Sequence, residues 1–148
     1  MGEGYPAKDT RLDRIVAVKV LPSELSADPA LRERLEREAK AISSLSHPHI
    51  CTLHDVGREA GIDYLVMEYL EGESLADRLR KGALPLEQAL RHAIEIAEAL
   101  DVAHRRGVVH RDRKPGNVML TKSGAKLREG DATAPGRAAS ALHNPQVF

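Results

Sequence analysis

The 148-residue chain has one cysteine, one phenylalanine, three tyrosines and no tryptophan. With Cys51 alone, a disulfide framework and a thiolate metal cage are both excluded, and a reducing, cytoplasmic setting is the expectation. Charge of one sign is also lacking: 22 Lys plus Arg balance 22 Asp plus Glu. Nothing in the net charge argues for a nucleic-acid or membrane-surface role. No apolar run approaches a membrane span, and the N-terminus lacks a signal-peptide core. Aromatics are thin for this length, which suggests that part of a larger core is absent. What remains is one domain's worth of chain with the composition of a soluble globular protein.

The pattern along the chain alternates between strand and helix signals. Residues 1–13 read as a Gly-rich and then polar turn entering a strand. RIVAVKV at 14–20 is β-branched and apolar, a short strand with Ile15, Ala17 and Lys19 on one face. Asp28-Pro29 is an N-cap and first-turn pair, predicting a helix to about Ser46 with Leu31, Leu35, Ile42 and Leu45 on its apolar stripe. Glu38 falls on that stripe, where a carboxylate is costly unless it meets a cation. Two strands follow with a turn at 57–61, then a short helix at 74–81.

A longer helix is predicted from Pro85 to Arg106, stopped by Gly107, with Leu86, Leu90, Ala93, Ile94, Ala97 and Leu100 as its buried face. Segment 128–148 has no sustained period and reads as an irregular tail.

The string HRDRKPGN at 110–117 sits directly after the long helix. It offers a base candidate (Asp112), a cation two residues later (Lys114) and an amide oxygen five after the acid (Asn117). Those are the groups a phosphoryl transfer needs: an oriented hydroxyl beside a carboxylate, neutralised phosphate charge and a held metal ion. A bare HRD is as readily a solvated turn, and Lys19 taken alone is more readily a strand-end lysine with its head in solvent. HPH at 47–49 and His54 could suggest a metal, but no acidic or Cys ligand clusters beside them, and HPH suits a turn.

Taken in order, Lys19, Glu38, VMEYLEG at 66–72, HRD and Asn117 make the chain resemble a protein Ser/Thr kinase catalytic domain of the bacterial, eukaryotic-like kind. The match runs from residue 1 to about 127. The resemblance implies an α+β, protein-kinase-like fold: an N-terminal antiparallel sheet with helix C over 1–70, and the upper part of the helical C-lobe over 71–127.

The resemblance also assigns roles. Lys19 would contact the α- and β-phosphates and pair with Glu38. Met67 would be the gatekeeper, the backbones of Glu68 and Leu70 would receive adenine, and Ala17 and Met119 would line it from above and below. Asp112 would be the base, Lys114 would steady the transferred phosphate, and Asn117 would hold Mg2+. ATP and Mg2+ are the implied cofactors, and a protein carrying Ser or Thr is the implied substrate.

Departures from the family pattern set a second expectation. Gly2 matches the third glycine of the phosphate-covering loop, the first two are missing, and Gly4 stands where a β-branched residue covers adenine. Where the family carries Asp-Phe-Gly, this chain has Glu129-Gly130-Asp131. Glu129 keeps a carboxylate for the metal but is one methylene longer. The pattern then ends, as in a truncated or frameshifted reading frame. A truncated, weakly active or inactive kinase domain is therefore expected. The alternative is a pseudokinase-like module that binds nucleotide or a partner without turnover. The long helix should then expose apolar surface and favour self-association.

Overall fold

The computed structural model describes residues 4–22, 28–108 and 113–128. The chain opens with a strand the sequence reading did not separate from its turn: β1 (Gly4–Asp9) runs antiparallel to β2 (Arg14–Val20). Pro6 and Gly4 disfavour a strand locally, yet β1 is an edge strand, where a missing N–H is tolerated. The hairpin of β3 (Leu53–Glu59) and β4 (Ile62–Glu68) completes a four-stranded antiparallel sheet in the order β1-β2-β4-β3. Its turn is tighter than the predicted 57–61 loop. Gly57 lies inside β3, where a Cβ would come within 2.2 Å of the Tyr64 ring.

Helix α1 (Pro29–Ser43) begins as its sequence predicts, with the Asp28 carboxylate accepting the Ala30 N–H at 2.9 Å and Pro29 in the first turn. Its Ala39 and Ile42 are buried in one cluster with Leu53, Leu65 and Met67 of the sheet. The helix therefore packs through its apolar stripe and presents its charged side to water.

Beyond β4 come β5 (Gly72–Ser74), α2 (Leu75–Arg80), α3 (Leu86–Arg105), a 3-10 turn (Pro115–Asn117), β6 (Val118–Thr121) and β7 (Gly124–Leu127). The last two strands form a hairpin, and β5 adds to it in a sheet ordered β5-β6-β7. Helix α3 ends where predicted, with Gly107 at φ +75°.

The Leu and Ile face of α3 is exposed, as expected of a helix without the partners that would bury it, and the helix packs through a different face. Leu86, Leu90 and Ile94 are 75%, 56% and 60% exposed, Ala93 and Ala97 are exposed too, and only Leu100 of that set is partly buried. The buried residues are His92, Ala99 and Ala103, with Glu95 and Ile96 half-buried beside them. Small alanines let the helix approach β7 closely, which a face of Leu and Ile would not.

The two parts share one core. Ile50 and Cys51, in the loop before β3, join Ala99, Ala103, Val118 and Leu127 in the same buried cluster as the sheet. Backbone bonds reinforce the join: Cys51 N–H donates to the Leu127 carbonyl at 2.8 Å, and Leu127 N–H to that of His49 at 2.9 Å.

Candidate nucleotide and phosphoryl-transfer site

Strand register sets the upper half of the site. Ala17 of β2 lies opposite Met67 of β4, and Lys19 opposite Leu65. Lys19 is only 6% exposed and Met67 8%. A lysine this deep in a strand does not keep its head in open solvent, which removes the plainer reading of that residue. Glu38 of α1 is half-buried and accepts from Arg34 Nε at 2.8 Å. Its neighbour Ala39 belongs to the same cluster as Leu65, the cross-strand partner of Lys19.

At the end of β4, Glu68 N–H donates to the Thr52 carbonyl at 2.8 Å, and its own carbonyl faces the Cys51 thiol at 3.7 Å. The Glu68 carboxylate points elsewhere: Oε1 is 2.5 Å from Lys126 Nζ, and Oε2 accepts the Thr52 N–H at 3.3 Å. Leu70 is half-buried just beyond. A groove of about 400 Å3 runs along Glu68–Glu71 and the β6–β7 turn, lined also by Ile15 and Lys126. It shares Glu68 and Leu70 with the expected adenine contacts, while Ala17, Met67 and Met119 are not among its lining residues.

The lower half comes from the 3-10 turn and β6. Asn117 is 5% exposed and Met119 8%, while Lys114 is exposed at the turn's start, its carbonyl accepting the Asn117 N–H at 2.9 Å. The Asn117 carbonyl in turn accepts the Arg128 N–H at 2.8 Å. Gly2, Asp112 and Glu129 lie outside the described residues. An amide oxygen from Asn117 with a carboxylate from 129 would be a hard oxygen donor set, which suits Mg2+.

Residues that the sequence reading passed over tie these parts together. Lys126 meets Glu68, and Glu95 of α3 accepts the Ala125 N–H at 2.8 Å and lies 2.9 Å from His92 Nδ1. Burial pulls the Glu95 pKa up, but the bonds from His92 and Ala125 and the nearby His92 and His49 charges outweigh it, holding the carboxyl below its ordinary value. His54 is shifted down, first by burial and then by Arg14, whose guanidinium is 3.4 Å from its Nδ1. The His92–Glu95 spacing of three on a helix was the one available signal.

A small antiparallel sheet with one helix, joined by a linker strand to a helical part ending in a β-hairpin, is the fold class of kinase-type phosphotransferases. The model of the protein kinase domain matches residues 1–131, and the chain belongs to that family.

A probable serine/threonine-protein kinase of Streptomyces coelicolor is 46% identical over 129 residues, covering 84% of this chain and 19% of that protein. The serine/threonine-protein kinase PknA of Mycobacterium tuberculosis is 45% identical over 130 residues, covering 84% of this chain and 30% of its own length. The crystal structure of the Mycobacterium tuberculosis PknI kinase domain superposes with a TM-score of 0.80 at 33% identity, over 95% of this chain and 59% of that one. The chain thus spans less than a third of these two curated relatives and somewhat over half of a solved kinase domain. No helix among the described residues is long and apolar enough to cross a membrane.

Proposed function

We propose that this chain is the nucleotide-binding part of an ATP-dependent protein serine/threonine kinase, acting in the cytoplasm on a protein hydroxyl, and that by itself it is weakly active or inactive. The observation that carries the reading is the burial of Lys19 in register with Leu65, two strand positions from the Ala17–Met67 pair. Lys19, paired with Glu38, holds the α- and β-phosphates, and Met67, Glu68, Leu70, Ala17, Met119 and Gly2 form the adenine and phosphate surroundings. Asp112 accepts the substrate hydroxyl proton, and Lys114 steadies the transferred phosphoryl group. Mg2+, held by Asn117 with Glu129, would neutralise phosphate charge. Residues 1–70 and 71–127 act as the two lobes; the segment beyond Arg128 lies outside the described residues.

The pseudokinase-like alternative is favoured by one specific feature, the Glu129-Gly130-Asp131 triplet in place of Asp-Phe-Gly. Transfer of labelled phosphate from ATP to a generic protein substrate separates the two. Negligible incorporation alongside measurable ATP binding is the expected result. Incorporation that Asp112→Asn abolishes would instead make the chain an active kinase.

A further inference from the structure

Besides its pairing with β6 and the bonds of Leu127 and Lys126, strand β7 is held at Ala125 by two side chains. The Ala125 N–H donates to Glu95 Oε2 at 2.8 Å, and the Ala125 carbonyl lies 2.8 Å from His49 Nδ1. Glu95 comes from α3 and His49 from the loop before β3, so the strand is held from two directions. Glu95 Oε2 also meets His92 Nδ1 at 2.9 Å, and both side chains are largely buried, at 14% and 11% exposure. The neighbouring Gly124 leaves room for this carboxylate: a Cβ there would sit 2.6 Å from Glu95 Oε1, and its φ of +118° is one L side chains rarely adopt.

A helix that needed only to pack against β7 would do so with an apolar side chain, because burying a carboxylate costs desolvation. What the carboxylate adds is direction: it accepts one defined N–H. That N–H belongs to the strand facing β6, with Leu120 opposite Ala125, Met119 opposite Lys126 and Val118 opposite Leu127. A slip of one residue would turn every β6 side chain to the other face, Met119 included. Just past β7, the Arg128 N–H holds the Asn117 carbonyl. A continuous run of contacts therefore leads from Glu95 through Ala125 to Asn117.

We propose that Glu95, oriented by His92, is a positioning residue: it locks β7 in register and thereby fixes Asn117 and Met119 where nucleotide and metal are bound. The inference rests on the kinase-family reading of those two residues. Glu95 itself touches no substrate and moves no proton.

The test is ATP binding by calorimetry, with Mg2+ and with EDTA, on the whole chain and on Glu95→Gln, Glu95→Asp and Glu95→Ala, together with amide exchange at Ala125. Gln keeps an acceptor for the Ala125 N–H and should preserve both exchange protection and the magnesium-dependent gain in affinity. Asp keeps the charge but withdraws by one methylene. It should share with Ala faster Ala125 exchange and a gain reduced by about tenfold or more, the scale of outer-shell losses at metal sites. Metal-free ATP affinity, which senses Met119 but not the metal held by Asn117, should fall less than the magnesium-dependent gain.

A purely structural anchor would instead weaken both conditions equally, and that result overturns the inference. A full magnesium gain in Glu95→Asp and Glu95→Ala sinks it alone. No magnesium gain in the unmutated chain sinks both the inference and the family reading of Asn117.

Discussion

Lys126 Nζ lies 2.5 Å from Glu68 Oε1, joining the end of β4 to β7 across 58 residues of sequence. The Lys126 side chain is 15% exposed and that of Glu68 29%, so water screens the pair only in part. The same carboxylate accepts the Thr52 N–H. Three segments therefore meet at one side chain: the linker between the two parts, the loop before β3, and the strand leading out of the lower hairpin. Lys126→Met is expected to destabilise by about 1–2 kcal/mol, between the values for surface and buried ion pairs. Glu68→Gln should cost a similar amount, and the double variant should cost less than the sum. Strict additivity in urea unfolding would show that the two charges do not couple.

For Lys19 and Glu38, the expected pairing makes a separate prediction. Removing one partner should cost about 3–5 kcal/mol if the other stays buried and charged. Glu38 also holds Arg34, a half-buried pair on the same helix. Arg34→Met should therefore cost less than Glu38→Gln. Equal small losses in unfolding experiments would confine Glu38 to its helix surface.

Stability should fall with acid in two steps. His54 titrates below its ordinary value of about 6.5 in the folded chain. The unfolded chain therefore takes up that proton first, and stability declines as pH falls below about 6.5 towards the folded value. Glu95 is also depressed, so its contribution is present above about pH 4.3 and is lost as pH falls through the lower folded value. His54→Gln should flatten the upper step and Glu95→Gln the lower one, read from urea midpoints at fixed pH. A midpoint that rises on acidification would reverse the sign and contradict both assignments.

The stripe of Leu86, Leu90 and Ile94 on α3 predicts concentration-dependent association. Sedimentation should resolve larger species that Leu90→Lys with Ile94→Lys returns to monomer, with little change in unfolding midpoint because both positions are exposed. A monomer at every concentration would remove self-association from the account.

Much of this was legible because local signals and tertiary roles coincide. Asp28-Pro29 starts α1 in sequence and in structure, and Glu38 stood out as a carboxylate on an apolar stripe. Helix α3 is legible in part: its Leu and Ile stripe is exposed as expected, but the face that packs differs from the one its periodicity favours. Its periodicity offered a face of Leu and Ile and a face of Ala, His and Glu, and hydrophobicity favoured the first. The structure buries the second, since Ala99 and Ala103 permit close approach and Glu95 finds its partners 30 residues away at Ala125. Strand β1 was missed for a related reason: its stability comes from pairing with β2, not from the propensities of GYPAKD. Lys126 gave no local sign of its role, because its partner Glu68 is distant in sequence.

The central claim is that a folded nucleotide site exists in this chain, and thermal unfolding with and without Mg-ATP tests it most directly. At a hundred times its dissociation constant the ligand adds about 2.7 kcal/mol, which for a chain of this length raises the midpoint by roughly 5–10 °C. The account predicts one cooperative transition that Mg-ATP shifts upward, with the shift lost in Lys19→Ala. A transition indifferent to Mg-ATP, or shifted equally in Lys19→Ala, would contradict it.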